Sequence, residues 1–188
     1  MSMLFPEDSL VPVIPGLTYS PAFISSAEER ELIEAIDHEL WNESWDRRRQ
    51  PYGASYGRER REATPIPDWG RGLAAKIFAS GRTPYEFDQM LVNEYLPGQG
   101  IAMHCDYEPF DDTVASVSLL SPCVMEFRRL ADSRFERLLV EPRSLLVLAN
   151  EARYQWQHGI ARRKNDGWQG EVIPRRRRLS VTFHRLKA

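Results

Sequence analysis

The chain has 188 residues, 42% hydrophobic and 28% charged, which fits one soluble globular domain with a real core and excludes a low-complexity chain. Two cysteines, Cys105 and Cys123, are too few for a disulfide framework, so a reducing, cytoplasmic setting is the default; the N-terminus shows neither a signal peptide nor a membrane span. Net charge is −2 but uneven: residues 1–46 hold ten Asp/Glu against one Arg, 47–61 six Arg against one Glu, and 153–188 ten Lys/Arg against two Asp/Glu.

In chain order, residues 1–22 carry Pro6, Pro12, Pro15 and Pro21 and read as extended, with 1–15 a lead-in to a single domain over 1–188. Ser25 or Ser26 followed by Glu28 and Glu29 marks a helix start with a capping box, and Leu32, Ile33, Ile36, Leu40 and Trp41 form its apolar face. Residues 44–66 are arginine-rich and read as a loop or short hairpin. A second helix starts at Asp68, shows Trp69, Leu73 and Ile77 on one face, and stops at Gly81. From Phe87 the signals are strands: Thr113–Leu120, Cys123–Arg128, Arg134–Val140, the apolar run Ser144–Leu148, and Leu179, Val181 and Phe183 alternating with Ser180, Thr182 and His184. Helices followed by six or seven mostly antiparallel strands predict an α+β domain built on a double-sheet jelly roll.

The chemistry gathers around His104-Cys105-Asp106. In extended chain, alternate side chains share a face, so His104 and Asp106 project together and Cys105 points away. The turn Pro97-Gly98-Gln99-Gly100 places His104 at the start of a strand. His158, placed at a strand exit, offers a second imidazole; two imidazoles and a carboxylate can form a facial triad that leaves positions open on a non-haem Fe(II). A lone His-x-Asp means little; the company of His158 and Arg178 carries the argument. Arg178 shares a strand face with Ser180, Thr182 and His184. In a cavity its guanidinium needs an anion, and its planar fork suits a carboxylate; the alternative is four exposed arginines at 175–178. Asn93 and Tyr95, two apart, offer an amide and a phenol to a dicarboxylate, or form an edge-strand pair. The basic segments are either a nucleic-acid footprint or a solvated face, in part paired with the acidic first helix.

Asn93-x-Tyr95-x-x-Gly98-x-Gly100-Ile101-x-x-His104-x-Asp106, then His158, then Arg178 with Thr182-Phe183, resembles the AlkB family of Fe(II)/2-oxoglutarate dioxygenases over residues 16–187. Arg47–Gly53 and Ser144 through Ile160 look closest to the branch with homologues acting on tRNA wobble uridines. The resemblance implies a double-stranded β-helix with N-terminal helices packed on one sheet. It implies Fe(II) held by His104, Asp106 and His158, 2-oxoglutarate gripped by Arg178 with Asn93 and Tyr95, and O2 as the third reactant. It makes 44–66 a nucleotide-recognition lid in which Arg49, Tyr52, Tyr56 and Arg58 meet phosphate and base, with Trp45 a further stacking candidate. The implied activity is oxidative demethylation or hydroxylation of alkylated bases, single-stranded DNA or RNA being the expected partner of a monomer without membrane contact. One departure stands out: the family ends the last strand with a second arginine where this chain has His184; either His184 supplies a weaker cosubstrate contact or this chain uses its pocket differently. The same chemistry on a protein side chain or small molecule, and a binding module without turnover, remain open alternatives.

Overall fold

A computed structural model describes residues 11–44, 46–53 and 64–187. Its elements in chain order are β1 Leu17–Ser20, α1 Ser26–His38, β2 Arg49–Gly53, α2 Asp68–Ala79, β3 Gln89–Tyr95, β4 Ile101–His104, β5 Thr113–Leu119, β6 Cys123–Arg129, β7 Phe135–Val140, β8 Leu145–Ala149, α3 Asn150–Tyr154, β9 Trp156–Ile160, β10 Asn165–Trp168, β11 Glu171–Pro174 and β12 Arg178–His184.

Two antiparallel sheets face each other. The larger runs β1-β8-β5-β12-β3-β2 and the smaller β4-β9-β6-β7, with β10-β11 a separate hairpin. Each side of the large sheet has its own core. Leu145, Val147, Leu179, Val181 and Phe183 pack against Leu32 and Ile36 of α1 and Leu73, Ala74 and Ile77 of α2. Leu146, Leu148 and Tyr95 point the other way, onto Met125, Phe127, Leu138, Trp156 and Ile160 of the small sheet. The apolar run at 145–148 is thus buried on both faces, as a central strand demands. This is the expected double-stranded β-helix, with the helices on one sheet.

The helix signals map directly. Ser25 Oγ accepts from Glu28 N–H at 3.2 Å, and Glu28 Oε2 accepts from Ser25 N–H at 2.7 Å. Such a reciprocal cap stabilises a helix by about 1 kcal/mol. Gly81, at φ +70°, ends α2 in the left-handed conformation a β-carbon disfavours.

Several expectations need correction. Helix α1 ends at His38, so Leu40 lies beyond it and is 93% exposed. Residues 17–20, read only as extended, form an edge strand paired with β8, and Ile14 of the expected lead-in is buried in the inter-sheet core. Within 44–66, residues 49–53 form strand β2, which pairs with distant β3, Tyr52 opposite Met90, while Arg49 also exchanges backbone hydrogen bonds with nearby Asn42. His104 ends its strand rather than starting it, and His158 sits in the middle of β9 rather than at an exit. The described residues contain twelve strands, not six or seven, the extra ones being short.

Candidate metal centre

Strands β4 and β9 bring the two histidines together. They pair antiparallel with His104 directly opposite His158, and the ring centroids lie 4.5 Å apart. Asp106 follows just past the end of β4. One donor atom from each of His104, Asp106 and His158 falls within 4.8 Å of the others, a set that can hold one metal ion. The Nδ1–H of His104 donates to the Ala102 carbonyl at 2.9 Å, which leaves its Nε2 lone pair for a ligand. Cys105 turns away, as alternation predicts: Sγ lies 3.6 Å from the Trp156 carbonyl, and burial pushes the thiol up.

The charges are arranged for a cation. Burial alone would raise the Asp106 carboxyl, but His158, His184 and Arg153 outweigh it and hold the group well below the usual carboxylate range. Burial pushes His158 down to about 4 against the pull of Asp106, so at neutral pH its ring is uncharged and able to ligate. Asp106 Oδ2 is buried with no hydrogen-bond partner among the described residues. A buried carboxylate oxygen in that state is costly, and a coordinated metal ion would satisfy it. The donor set and this orphaned oxygen both fit Fe(II).

The anion pocket lies at the other end of β12. Arg178 is 3% exposed; its Nη2–H donates to Ser118 Oγ at 2.7 Å, while Nε and Nη1 have no partner among the described residues. Its register partner is Tyr95, over whose ring the guanidinium carbon sits at 5.3 Å from the centroid. Burial pushes the Tyr95 phenol up, keeping its proton for donation. Asn93 faces the same side two residues earlier, its Oδ1 accepting from Arg47 Nε at 3.2 Å. A buried fork with two free donors beside a phenol and an amide fits the far carboxylate of a dicarboxylate such as 2-oxoglutarate. Of the alternative reading of 175–178, only Arg176 is exposed; Arg175 is buried on Asp166, and Arg177 binds Asp37 and Glu94.

His184 does not join Arg178. It stands at the opposite end of β12, stacked on Phe110 at 4.1 Å, with Nδ1 donating to Gln89 Oε1 at 2.6 Å and Nε2 3.9 Å from Asp106 Oδ1. It lies beside a metal-site carboxylate rather than in the anion pocket.

The lid residues separate. Tyr52 is in the helix-side core, 6% exposed, edge-on to Trp69 and donating to Gln50 Oε1 at 3.3 Å, because it is in phase with buried Gln50. It offers no surface to a base. Arg49 is half-buried on β2 opposite Asn93, on the pocket side of the sheet. Trp45, Tyr56 and Arg58 lie outside the described residues. Trp156 fills the inter-sheet core at 1% exposed, whereas Tyr154 is exposed.

Three supporting groups carried no sequence signal strong enough to single them out. Ser118 orients Arg178; it is in phase with Ser116, and the β5–β12 register sets it against Ser180. Buried Arg153 donates to the carbonyls of Asp106 at 3.1 Å and Tyr107 at 2.7 Å, fixing the chain beside the carboxylate. Glu94 joins two distant arginines, Arg48 and Arg177.

The sequence profile of the 2OG-Fe(II) oxygenase superfamily matches residues 34–184. The chain is 34% identical to an Arabidopsis thaliana protein named alkylated DNA repair protein ALKBH8 homolog, over 93% of this chain and 59% of that protein. It is 30% identical to a Danio rerio protein named probable RNA/DNA demethylase ALKBH6, over 92% of this chain and 86% of that protein. The chain therefore spans less than two thirds of the Arabidopsis relative but most of the zebrafish one. Among solved structures, OsALKBH1 superposes with a TM-score of 0.72 at 18% identity, covering 93% of this chain and all of that one, a likeness of fold.

Proposed function

Because the chain belongs to the AlkB-like branch of the 2OG-Fe(II) oxygenase superfamily, and is a dioxygenase using Fe(II), 2-oxoglutarate and O2, we propose that it oxidises alkyl groups on bases of single-stranded nucleic acid. The observation that carries the enzymatic reading is the pairing, in one inter-sheet space, of a three-donor cluster with a buried arginine fork that has two free N–H groups.

In this reading Nε2 of His104, Nε2 of His158 and the Asp106 carboxylate hold the iron. Arg178, steadied by Ser118, takes the far carboxylate of 2-oxoglutarate, and Asn93 and Tyr95 complete that grip. When bound, the iron and its cosubstrate supply an oxidant able to break a C–H bond. The protein supplies direction. Arg153 fixes the backbone at Asp106, and His184 lies beside the carboxylate. The His104 side chain is 34% exposed, against 12% for Asp106 and His158. A substrate alkyl group therefore approaches over His104, and the buried ligands stay dry.

The nucleic-acid part rests on the relatives' names and on the lid segment 47–61, with six arginines against one glutamate. Single strands would avoid the few kcal/mol needed to flip a paired base. A protein side chain is the second reading. It is favoured by the internal pairing of Arg48, Arg175 and Arg177 with Glu94, Asp166 and Asp37, which takes positive charge off the surface.

The test loads the protein with Fe(II) and 2-oxoglutarate and offers methylated single-stranded DNA, RNA and tRNA, following methyl loss by mass spectrometry and succinate release in parallel. Methyl loss coupled to succinate, with salt-sensitive binding, is the expected result. Succinate release that no nucleic acid stimulates would move the substrate to protein or small molecule.

A further inference from the structure

Arg47 stands apart from the arginines around it. Arg48 pairs with Glu94 at 2.5 Å, and Arg162 with Asp46. Arg47 pairs with no carboxylate among the described residues. Its Nε–H donates to the neutral amide oxygen of Asn93 at 3.2 Å, and its Nη1–H makes only a long 3.5 Å contact to the Gly100 carbonyl. Its guanidinium carbon lies 5.5 Å from the centroid of the Tyr95 ring, the same ring that Arg178 approaches to 5.3 Å.

Both guanidinium groups thus approach the ring of one buried phenol with no carboxylate partner among the described residues. An anion that reached both would offset two like charges. Strand β12 supplies no second cation at this end: Arg178 is opposite Tyr95, whereas His184 is opposite Gln89 at the far end and already engaged. Arg185 stacks over Tyr85. The second positive charge at the pocket comes instead from the root of the arginine-rich segment. That root is tied to the 97–100 turn, where Gln99 Nε2–H donates to the Asp46 carbonyl at 2.5 Å.

We propose that Arg47 is a second anion contact for the far carboxylate of 2-oxoglutarate, acting with Arg178 beside Tyr95. The inference rests on reading this pocket as the cosubstrate site. A carboxylate has two oxygens and about four lone-pair directions, enough for two guanidinium groups and the Tyr95 hydroxyl.

The experiment measures binding without turnover. Mn(II)-loaded protein is titrated with 2-oxoglutarate and, separately, with pyruvate, which has the same 2-oxo acid head but no far carboxylate. Wild type is compared with R47Q, R47K and R178Q, and urea midpoints report folding. For R47Q the expected result is 2-oxoglutarate binding weakened roughly tenfold to a hundredfold, the range of one lost charge-assisted bond, with pyruvate binding unchanged. R47K, which keeps the charge, recovers part of the loss. If R47Q binds 2-oxoglutarate like wild type while R178Q is weakened, the role of Arg47 is overturned and the pocket stands. If neither variant weakens 2-oxoglutarate, the pocket reading falls and this inference with it. Equal weakening of 2-oxoglutarate and pyruvate in R47Q also overturns the proposal, since it places the effect at the metal end.

Discussion

His104 and His158 are cross-strand neighbours, paired directly opposite each other just past a register shift between β4 and β9, with ring centroids 4.5 Å apart. The ladder, not a loop, sets their spacing, so the two imidazoles are held by the sheet itself. His104→Ala should therefore leave the fold intact and cost more than roughly a hundredfold in metal affinity, since losing even a group that only orients a metal ligand costs roughly ten- to a hundredfold. Calorimetric titration with Mn(II) and iron-dependent 2-oxoglutarate turnover check this; full activity in the variant would end the triad assignment.

Arg178→Ala removes a buried fork at the far end of β12. The expected cost is about 1.5–3 kcal/mol of charge-assisted bonding, a tenfold to hundredfold rise in the 2-oxoglutarate concentration needed. Steady-state assays at varied cosubstrate measure it. An unchanged requirement would move the anion site elsewhere, Arg176 being the exposed neighbour.

Acid should destabilise the metal-free protein through His158. The unfolded imidazole takes a proton below about 6.5, while the folded one refuses it until about 4, so the unfolded chain binds more protons throughout that window. Stability contributed by the neutral ring is thus present above the upper value and is lost as pH falls toward the lower, by up to about 3 kcal/mol. Asp106 adds its own loss only further down, where an unfolded carboxyl titrates. Melting temperatures of wild type and His158→Asn between pH 7 and 5 separate the two: the wild-type slope should be the steeper, and equal slopes would remove His158 as the cause.

The parts of this site that were legible in the sequence are those whose logic is local. His104 and Asp106 are two apart, and Arg178 alternates in phase with Ser180, Thr182 and His184 along one strand. Tyr52 was misplaced because its phase is set by β3, 38 residues on, which pairs it with Met90 and turns it toward the helices. Arg47 and Arg153 were missed because their partners are an amide and two carbonyls, which leave no charge pattern. Strands β1, β10 and β11 have four residues each, too few for alternation to speak, and owe their existence to the partners they pair with.

Asp166 anchors the β10–β11 hairpin to the small sheet. Its side chain is fully buried and accepts from Arg175 at 2.6 and 2.8 Å, from Arg163 at 2.7 Å and from the Val124 N–H at 3.1 Å. Asp166→Ala leaves the buried Arg175 guanidinium without its counter-charge, which should cost about 3–5 kcal/mol. Urea unfolding measures this; a loss below about 1 kcal/mol would mean that water or the Gln99 and Ala161 carbonyls replace the carboxylate.

Gly159 ties the fold back to the metal. It follows His158 on β9, and a β-carbon there would lie 2.8 Å from Met103 Sδ and 3.0 Å from the Ile101 carbonyl oxygen, both on β4. Sulfur can swing aside, but the carbonyl belongs to the strand that carries His104. Gly159→Ala should therefore push β4 away from β9 and spread the two imidazoles. The expected signature is selective: metal affinity falls at least about tenfold, as misplacing a ligand does, while overall stability falls by only about 1–3 kcal/mol, the usual cost of overpacking. Mn(II) titration and urea unfolding on the same variant decide it. A variant that binds metal like wild type would show that the β4–β9 spacing does not govern the site.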